Sequence, residues 1–381
     1  MKIPLFKIYN NVLDKKAVND VLDRRSHWAL GPEIETFEFA LANFVNRKYA
    51  VLFNSGTSAL HAMLLAYDID SLDDILIPSF TFQATANAVR FVDADPVFCD
   101  IEPETFGLNT NSVAQKCCKW TKAIMPIHYG GCPARDTEQL VTFAKNNELL
   151  FFEDAAQSLG ASIGNKKVGS FGDASIFSFC QDKVVAIGEG GVVLVDDDDI
   201  YAKLLKIRSH GRTNDKNYFT STESYDYDSL GYNWRMTTMN AALGLAQFRQ
   251  LPHIVTLKRE VADYYNQNLK GLVKKGYVVL PTLQPSNFYH VYQKYTIRVL
   301  NGKRDRLQQY LKEKGIQTRA YFGLPVHKTT YYKKLMEDEK ETHRLPETNK
   351  ASKEVLSLPV YPNMSKTETG YVINRIKEFF K

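Results

Sequence analysis

The sequence predicts an α/β protein with a mainly parallel central sheet, joined to a small C-terminal α+β domain. Three observations carry that prediction. From about residue 33 to 210, helical patterns alternate with short apolar runs, the signature of β/α units. Several of those runs are apolar throughout, as strands covered on both faces are. Beyond about residue 240 the order changes to long helical patterns, then a strand and a helix, which suggests a separate layer. The expected division places residues 1–245, including the N-terminal segment, in the large domain and 246–381 in the small one.

Taken in order, residues 50–53 (Ala-Val-Leu-Phe) read as the first strand. The turn Asn54-Ser55-Gly56-Thr57-Ser58 then offers capping side chains to an apolar helix at 59–67. Further buried strands are expected at 75–77, 96–98, 123–127 and 149–152, with helices at 84–91 and 135–146 between them. Residues 212–230 are polar, rich in Tyr, Ser, Thr and Asp, and aperiodic, so they read as a long loop of the kind that serves function or an interface. A helix is expected from about 238, with Met239, Ala242, Leu243 and Ala246 on one face. Another follows Pro252, where Leu257, Val261, Tyr264 and Tyr265 recur at helical spacing. The last third contributes a strand at 295–299 and a helix at 304–314. The acidic run 196–199 reads as a solvated turn and helix start.

Composition bounds the function. The chain has 381 residues, 44% hydrophobic and 24% charged, which suffices for a large core and excludes disulfide scaffolds and disordered chains. Its net charge of +5 is spread along the chain with no basic arm, favouring an anionic small ligand over a nucleic acid. No apolar run reaches the roughly 18 residues of a membrane span, and the N-terminus lacks a signal-peptide pattern. The five cysteines (Cys99, Cys117, Cys118, Cys132, Cys180) have no ligand spacing and fit reduced thiols, so a cytoplasmic protein is expected. The histidines show no His-Glu-x-x-His pattern, so nothing supports a catalytic metal.

Three segments carry chemistry. Ser55-Gly56-Thr57 sits at a strand-to-helix turn, where unpaired N–H groups, the helix dipole and hydroxyls suit a phosphate; ordinary Ser/Thr capping fits the same residues. Asp154 follows a buried apolar strand, at the end where open α/β sheets place ligands. A carboxylate there needs a cation, such as a protonated pyridine nitrogen, or else serves as a helix cap. Ser178 stands five residues before Lys183, and Gly188-Glu189-Gly190-Gly191 follows; this could place a hydroxyl on a phosphate and an amine on an aldehyde. Together the three segments fit pyridoxal 5′-phosphate.

Several motifs, in order, resemble the nucleotide-sugar aminotransferases of the DegT/StrS type, which have the aspartate aminotransferase (type I) pyridoxal-phosphate fold. They are Asn-Ser-Gly-Thr-Ser-Ala-Leu from residue 54, residues 78–88, Glu-Asp-Ala-Ala-Gln-Ser from 153, the stretch from Gly172 through Lys183 to Gly191, and Gly231-Tyr-Asn-Trp-Arg-Met. The resemblance implies that Lys183 is the Schiff-base lysine, Asp154 the partner of the pyridinium nitrogen, and Gln157 a hydrogen bond to the phenolic oxygen. Gly56, Thr57 and Ser178 would hold the phosphate, and Phe82 would stack on the ring. Asn233 would reach the phosphate of a neighbouring subunit, implying a homodimer with shared active sites. His327 and Gly31, the latter just before Pro32, fall where relatives contact the substrate.

The implied reaction moves an amino group from L-glutamate to a keto sugar linked to a nucleoside diphosphate. The Gly-Glu-Gly-Gly run leans toward a 4-keto-6-deoxy sugar, for amino sugar or polysaccharide biosynthesis. The chain departs from many relatives between Ser178 and Lys183, where it carries Cys180 in place of His or another aromatic and Asp182 precedes the lysine; this bears on the substrate side of the site and leaves the cofactor chemistry intact. Cys180 is not read as a nucleophile. Dehydratases of the same fold replace the lysine with histidine, so Lys183 argues against that reading. The intact Lys183, Asp154 and Gln157 argue against a non-catalytic regulatory member.

Overall fold

In the computed structural model of the chain, which describes all residues except 214–218, 220, 223, 282–284 and 336–343, the apolar runs of the N-terminal half become strands. These are β1 (Tyr49–Phe53), β2 (Asp74–Pro78), β3 (Asp95–Cys99), β4 (Thr121–Ile124) and β5 (Leu150–Asp154). A short excursion, β6 (Ser162–Ile163) and β7 (Lys166–Lys167), precedes β8 (Ala174–Ser178) and β9 (Gly191–Val195). The central sheet has the order β1-β9-β8-β5-β4-β2-β3. It is parallel from β8 through β5, β4 and β2 to β3, while β9 pairs antiparallel with both β1 and β8.

Alternation along the strands explains why these runs are apolar throughout. Val51 and Phe53 of β1, Ile176 of β8, and Val193 and Val195 of β9 enter the core on one face. Ala50, Leu52, Phe177, Val192 and Leu194 enter the core on the other. A sheet covered on both faces has no polar side to show in its sequence. Helices supply the cover: Gly56–Ala66 contributes Leu60, Met63 and Leu64 to the first face, and Pro32–Val45 contributes Ile34, Phe37 and Leu41 to the second. Helix Val12–Arg24, started by an Asn11–Asp14 capping box, packs on helix Thr238–Arg249.

The C-terminal sheet is antiparallel, in the order β10 (Val278–Val279), β12 (Tyr295–Val299), β13 (Val355–Leu358). β11 (Phe288–Tyr289) instead joins β6 and β7 in a third sheet. Tyr265 and Leu269 of the long helix Leu251–Lys274, Tyr295 and Ile297 of β12, and Ile373 of helix Lys366–Phe379 share one apolar cluster, which Ile3 also enters.

Some boundaries differ from expectation for physical reasons. The strand expected at 123–127 ends at Ile124; Pro126 has no N–H for the ladder, and its carbonyl accepts from Asp154 N instead. The expected helix start at 196–199 is present, with Asp197 capping Asp198–Arg208. Asp196, expected to be simply solvated, holds the buried Arg47 guanidinium at 2.7 Å. Of the loop expected at 212–230, residues 214–218, 220 and 223 lie outside the described residues; the rest carry a single bridge, Arg212 to Tyr227.

Candidate active site

The carboxyl ends of β1, β5 and β8 open into a cavity of about 380 Å³. Gly56, Thr57, Phe82, Asp154, Gln157, Ser178 and Lys183 all line it. Residues distant in sequence meet there because β1, β8 and β5 lie close together in the sheet, with only β9 between the first two.

The turn after β1 is shaped by close backbone approach. Ser55 Oγ accepts from Ser58 N–H at 3.0 Å, so the capping role is real, and helix Gly56–Ala66 begins at the cavity wall. The N–H groups of a first helical turn have no partner within the helix and suit an anion. A Cβ on Gly56 would lie 2.9 Å from Ser178 Cβ, and one on Gly191 would lie 2.4 Å from the Ser55 carbonyl oxygen. Only glycine lets this turn nest against the ends of β8 and β9.

Asp154 is buried at the end of β5, accepting from Thr85 Oγ1 at 2.7 Å and from Ala156 N–H at 3.2 Å. Among the described residues it has no ion-pair partner. Burial raises its pKa, offset in part by the Thr85 and Ala156 hydrogen bonds and the more distant charge of Lys183. Beneath it, Ala134 N–H donates to His128 Nδ1 at 3.0 Å, which leaves the ring proton on Nε2, 3.0 Å from Glu153 Oε2. Burial works against the Glu153 charge, yet His128 and the N–H groups of Gly169 and Phe171 hold its pKa below the usual carboxylate value.

Opposite Asp154, Lys183 Nζ lies 3.2 Å from Asp182 Oδ1, and Lys294 Nζ lies 3.1 Å from Asp182 Oδ2. Gln157 Oε1 accepts from Gly130 N–H at 2.9 Å, which turns its amide nitrogen, a donor, to the other side. Cys180 lines the cavity with Sγ 3.6 Å from Glu189 Oε1. Burial and the Glu189 and Asp182 charges keep its thiol protonated, against any nucleophilic role.

Thr85, His128, Lys294 and Arg319 also line the cavity but are not among the candidates from sequence, and Asp182, marked there only as bearing on the substrate side, lines it beside Lys183. No periodicity marks them; Thr85 falls inside the matching motif at 78–88, which was a usable signal. Three candidates lie elsewhere. Asn233 is exposed between Tyr232 and Trp234, whose rings stack 3.8 Å apart. His327 Nδ1 is 2.6 Å from Ser79 Oγ and is not on the cavity wall. Gly31 N–H donates to Thr238 Oγ1 and borders a second cavity with Glu38 and Arg208.

A buried carboxylate without a cation, a glycine turn at a helix start and a lysine amine in one cavity fit pyridoxal 5′-phosphate: ring nitrogen, phosphate and aldehyde each find a matching group. Fold and site thus define a pyridoxal-phosphate-dependent enzyme. The comparisons narrow this further. Residues 10–377 match the DegT/DnrJ/EryC1/StrS aminotransferase family, and the chain belongs to it. It is 36% identical over 365 residues to a pleiotropic regulatory protein of Geobacillus stearothermophilus, covering 96% of this chain and 94% of that one. It is 33% identical over 379 residues to GDP-perosamine synthase of Escherichia coli O157:H7, covering 99% and 98%. The crystal structure of NtdA from Bacillus subtilis, with bound pyridoxamine phosphate, superposes with a TM-score of 0.86 at 28% identity, covering 96% and 80%. The protein is accordingly a pyridoxal-phosphate-dependent aminotransferase.

Proposed function

We propose that the protein transfers an amino group from L-glutamate to a keto sugar carried on a nucleoside diphosphate, with a 4-keto-6-deoxy sugar as acceptor. The convergence of Lys183, Asp154, Gln157 and Gly56 on one cavity carries this reading. The similarity to a GDP-perosamine synthase supports the sugar nucleotide. The five free cysteines accord with action in the cytoplasm.

When bound, the cofactor supplies an electron sink for the pair left behind as a proton leaves the donor's α-carbon. The chain's residues do the rest. The Lys183 amine takes that proton and returns it as a general base and acid. Asp154 keeps a proton on the ring nitrogen, gaining the cation its burial denies it. The Gln157 amide donates to the phenolic oxygen, Phe82 covers the ring, and the Gly56–Thr57 turn with Ser178 holds the phosphate. Asn233 reaches the phosphate in a second copy of the chain, so the working unit is a homodimer. His327 and Gly31 serve the sugar nucleotide. Glutamate leaves as its keto acid and the keto sugar as an amino sugar, so no external oxidant or reductant is consumed.

The reading keeps two domains, 1–245 for the cofactor and 246–381 as the smaller one. The separate antiparallel sheet supports that division, as does an apolar cluster drawn from residues 261–380 apart from Ile3.

Protein purified with cofactor should be yellow and should lose that colour on addition of L-glutamate. A panel of dTDP-, UDP- and GDP-linked 3-keto and 4-keto sugars should then restore it with the true acceptor. A Lys183→Ala variant that keeps the donor-driven change and full turnover would refute the role given to Lys183.

A further inference from the structure

We propose that Asp182 and Lys294 form a charge pair that sets the protonation of the Lys183 amine, which makes both of them positioning residues for the reaction. The inference rests on the reading of Lys183 as the amine that accepts the donor's proton. The Asp182 carboxylate is shared: one oxygen faces Lys183 Nζ at 3.2 Å and the other faces Lys294 Nζ at 3.1 Å. Both partners are fixed. Gln293 Nε2 donates to the Asp182 carbonyl, and Lys294 N–H donates to Gly130 O at 2.9 Å, while its Nζ sits 4.0 Å from the centre of the Tyr321 ring. Gly130 in turn holds Gln157, so a continuous chain of contacts runs from Gln157 through Gly130, Lys294 and Asp182 to Lys183.

A carboxylate alone at this distance would keep a proton on Lys183, whereas a base must spend part of its time without one. Lys294 removes that conflict by supplying a second cation to the same carboxylate. Burial opposes the charge on Asp182, but the two lysines outweigh it and bring its pKa down to about 2, so the carboxylate stays ionised. Burial lowers Lys294 to about 8, against the pull of Asp182. Lys258, buried on the long helix with Nζ 3.2 Å from Val360 O, is lowered to about 7 by burial and by the charge of Lys294. Two lysines therefore share one carboxylate, and Lys258, held by the Val360 and Gln293 carbonyls, adds a third amine to the same neighbourhood. The other titratable groups facing them are Asp154, Cys180 and Glu189 on the cavity side, and Arg319 and Tyr321 from the C-terminal part. His128 is committed to Glu153.

The test follows Lys183 directly in the full-length, cofactor-free protein. Trace acetylation with acetic anhydride across pH, read by peptide mass spectrometry, gives the titration of each lysine. In Asp182→Asn the Lys183 titration should move down by about one unit, a tenfold gain in labelling below its midpoint. In Lys294→Met it should move up by a similar amount, and the double variant should lie near wild type. The visible band of the cofactor-loaded variants should shift its pH midpoint with the same signs. Folded variants whose Lys183 titration stays put, or moves the same way in both, would overturn the proposal. If Asp182→Asn fails to fold, Lys294→Met alone decides. Correct shifts without a glutamate-driven colour change would fail the donor reading and leave the charge pair standing.

Discussion

His128 Nε2 lies 3.0 Å from Glu153 Oε2, and neither side chain has any exposure to solvent. The pair sits directly under the cavity floor, since His128 lines the cavity and Glu153 precedes Asp154 on β5. Glu153 also accepts from two backbone N–H groups, of Gly169 and Phe171, which fix the turn leading into β8. A carboxylate with three donors is the anchor of this region, and its loss strands all three.

Glu153→Ala should therefore destabilise the protein by about 3 kcal/mol or more, because three buried donors lose their acceptor at once. Urea unfolding would measure it. The pH dependence has a definite sign. The folded pKa of Glu153 is depressed, so its contribution is present above the ordinary glutamate value of about 4.3 and is lost as pH falls below it toward the folded value. Glu153→Ala should flatten the acid limb of the stability profile; an unchanged limb would refute the assignment.

Asp154→Asn should separate stability from activity. The folded pKa of Asp154 is raised, so the cofactor-free protein is fully stable with respect to this group below about pH 3.9 and loses stability as pH rises through the folded value. The asparagine carries no charge, and its amide can donate to Thr85 Oγ1 while accepting from Ala156 N–H. Without cofactor the variant should be more stable at neutral pH by about 1 kcal/mol, while turnover falls at least a hundredfold. Thermal unfolding and a glutamate half-reaction assay would check both halves.

Gly56→Ala should weaken the cofactor site more than the fold. The added methyl lies 2.9 Å from Ser178 Cβ and 3.2 Å from its Oγ, so the β8 end and the helix start must part. Equilibrium dialysis should show at least a tenfold loss of pyridoxal phosphate affinity, with an unfolding cost of about 1–3 kcal/mol.

Subunit mixing tests Asn233. If the proposed homodimer shares its sites, Lys183→Ala and Asn233→Ala proteins should each be nearly inactive, and mixing them after mild dissociation should restore a fraction of the wild-type rate, because one site of a hybrid dimer would then be whole. No recovery in hybrids verified by mass spectrometry would remove Asn233 from the shared site.

How far the sequence was legible follows from these residues. The strand ending at Asp154 and the turn at Ser55–Thr57 were visible, because a buried strand is a continuous apolar run and a helix start needs capping groups. Lys183 was visible between Ser178 and the glycine run at 188–191, whereas Gln157 came from motif order. Lys294 could not be read that way, as a single lysine just ahead of the strand expected at 295–299 looks like a solvated one until Asp182, far back in the chain, is placed beside it. The Ile3 contact with the C-terminal cluster was hidden for the same reason. The helix Val12–Arg24 carries a local signal in the Asn11 and Asp14 capping pair.

The position of β1 also bears on how the chain is made. The earliest strand of the central sheet to leave the ribosome sits at its edge, and its one ladder partner, β9, is the latest to emerge, with Tyr49 waiting for Val195. Until then β1 offers unpaired backbone and apolar faces, the condition under which nascent chains bind chaperones or associate wrongly. Slow synthesis between residues 54 and 190 should thus lower soluble yield, and a truncation ending before Gly191 should never fold, although it holds every strand of the parallel part.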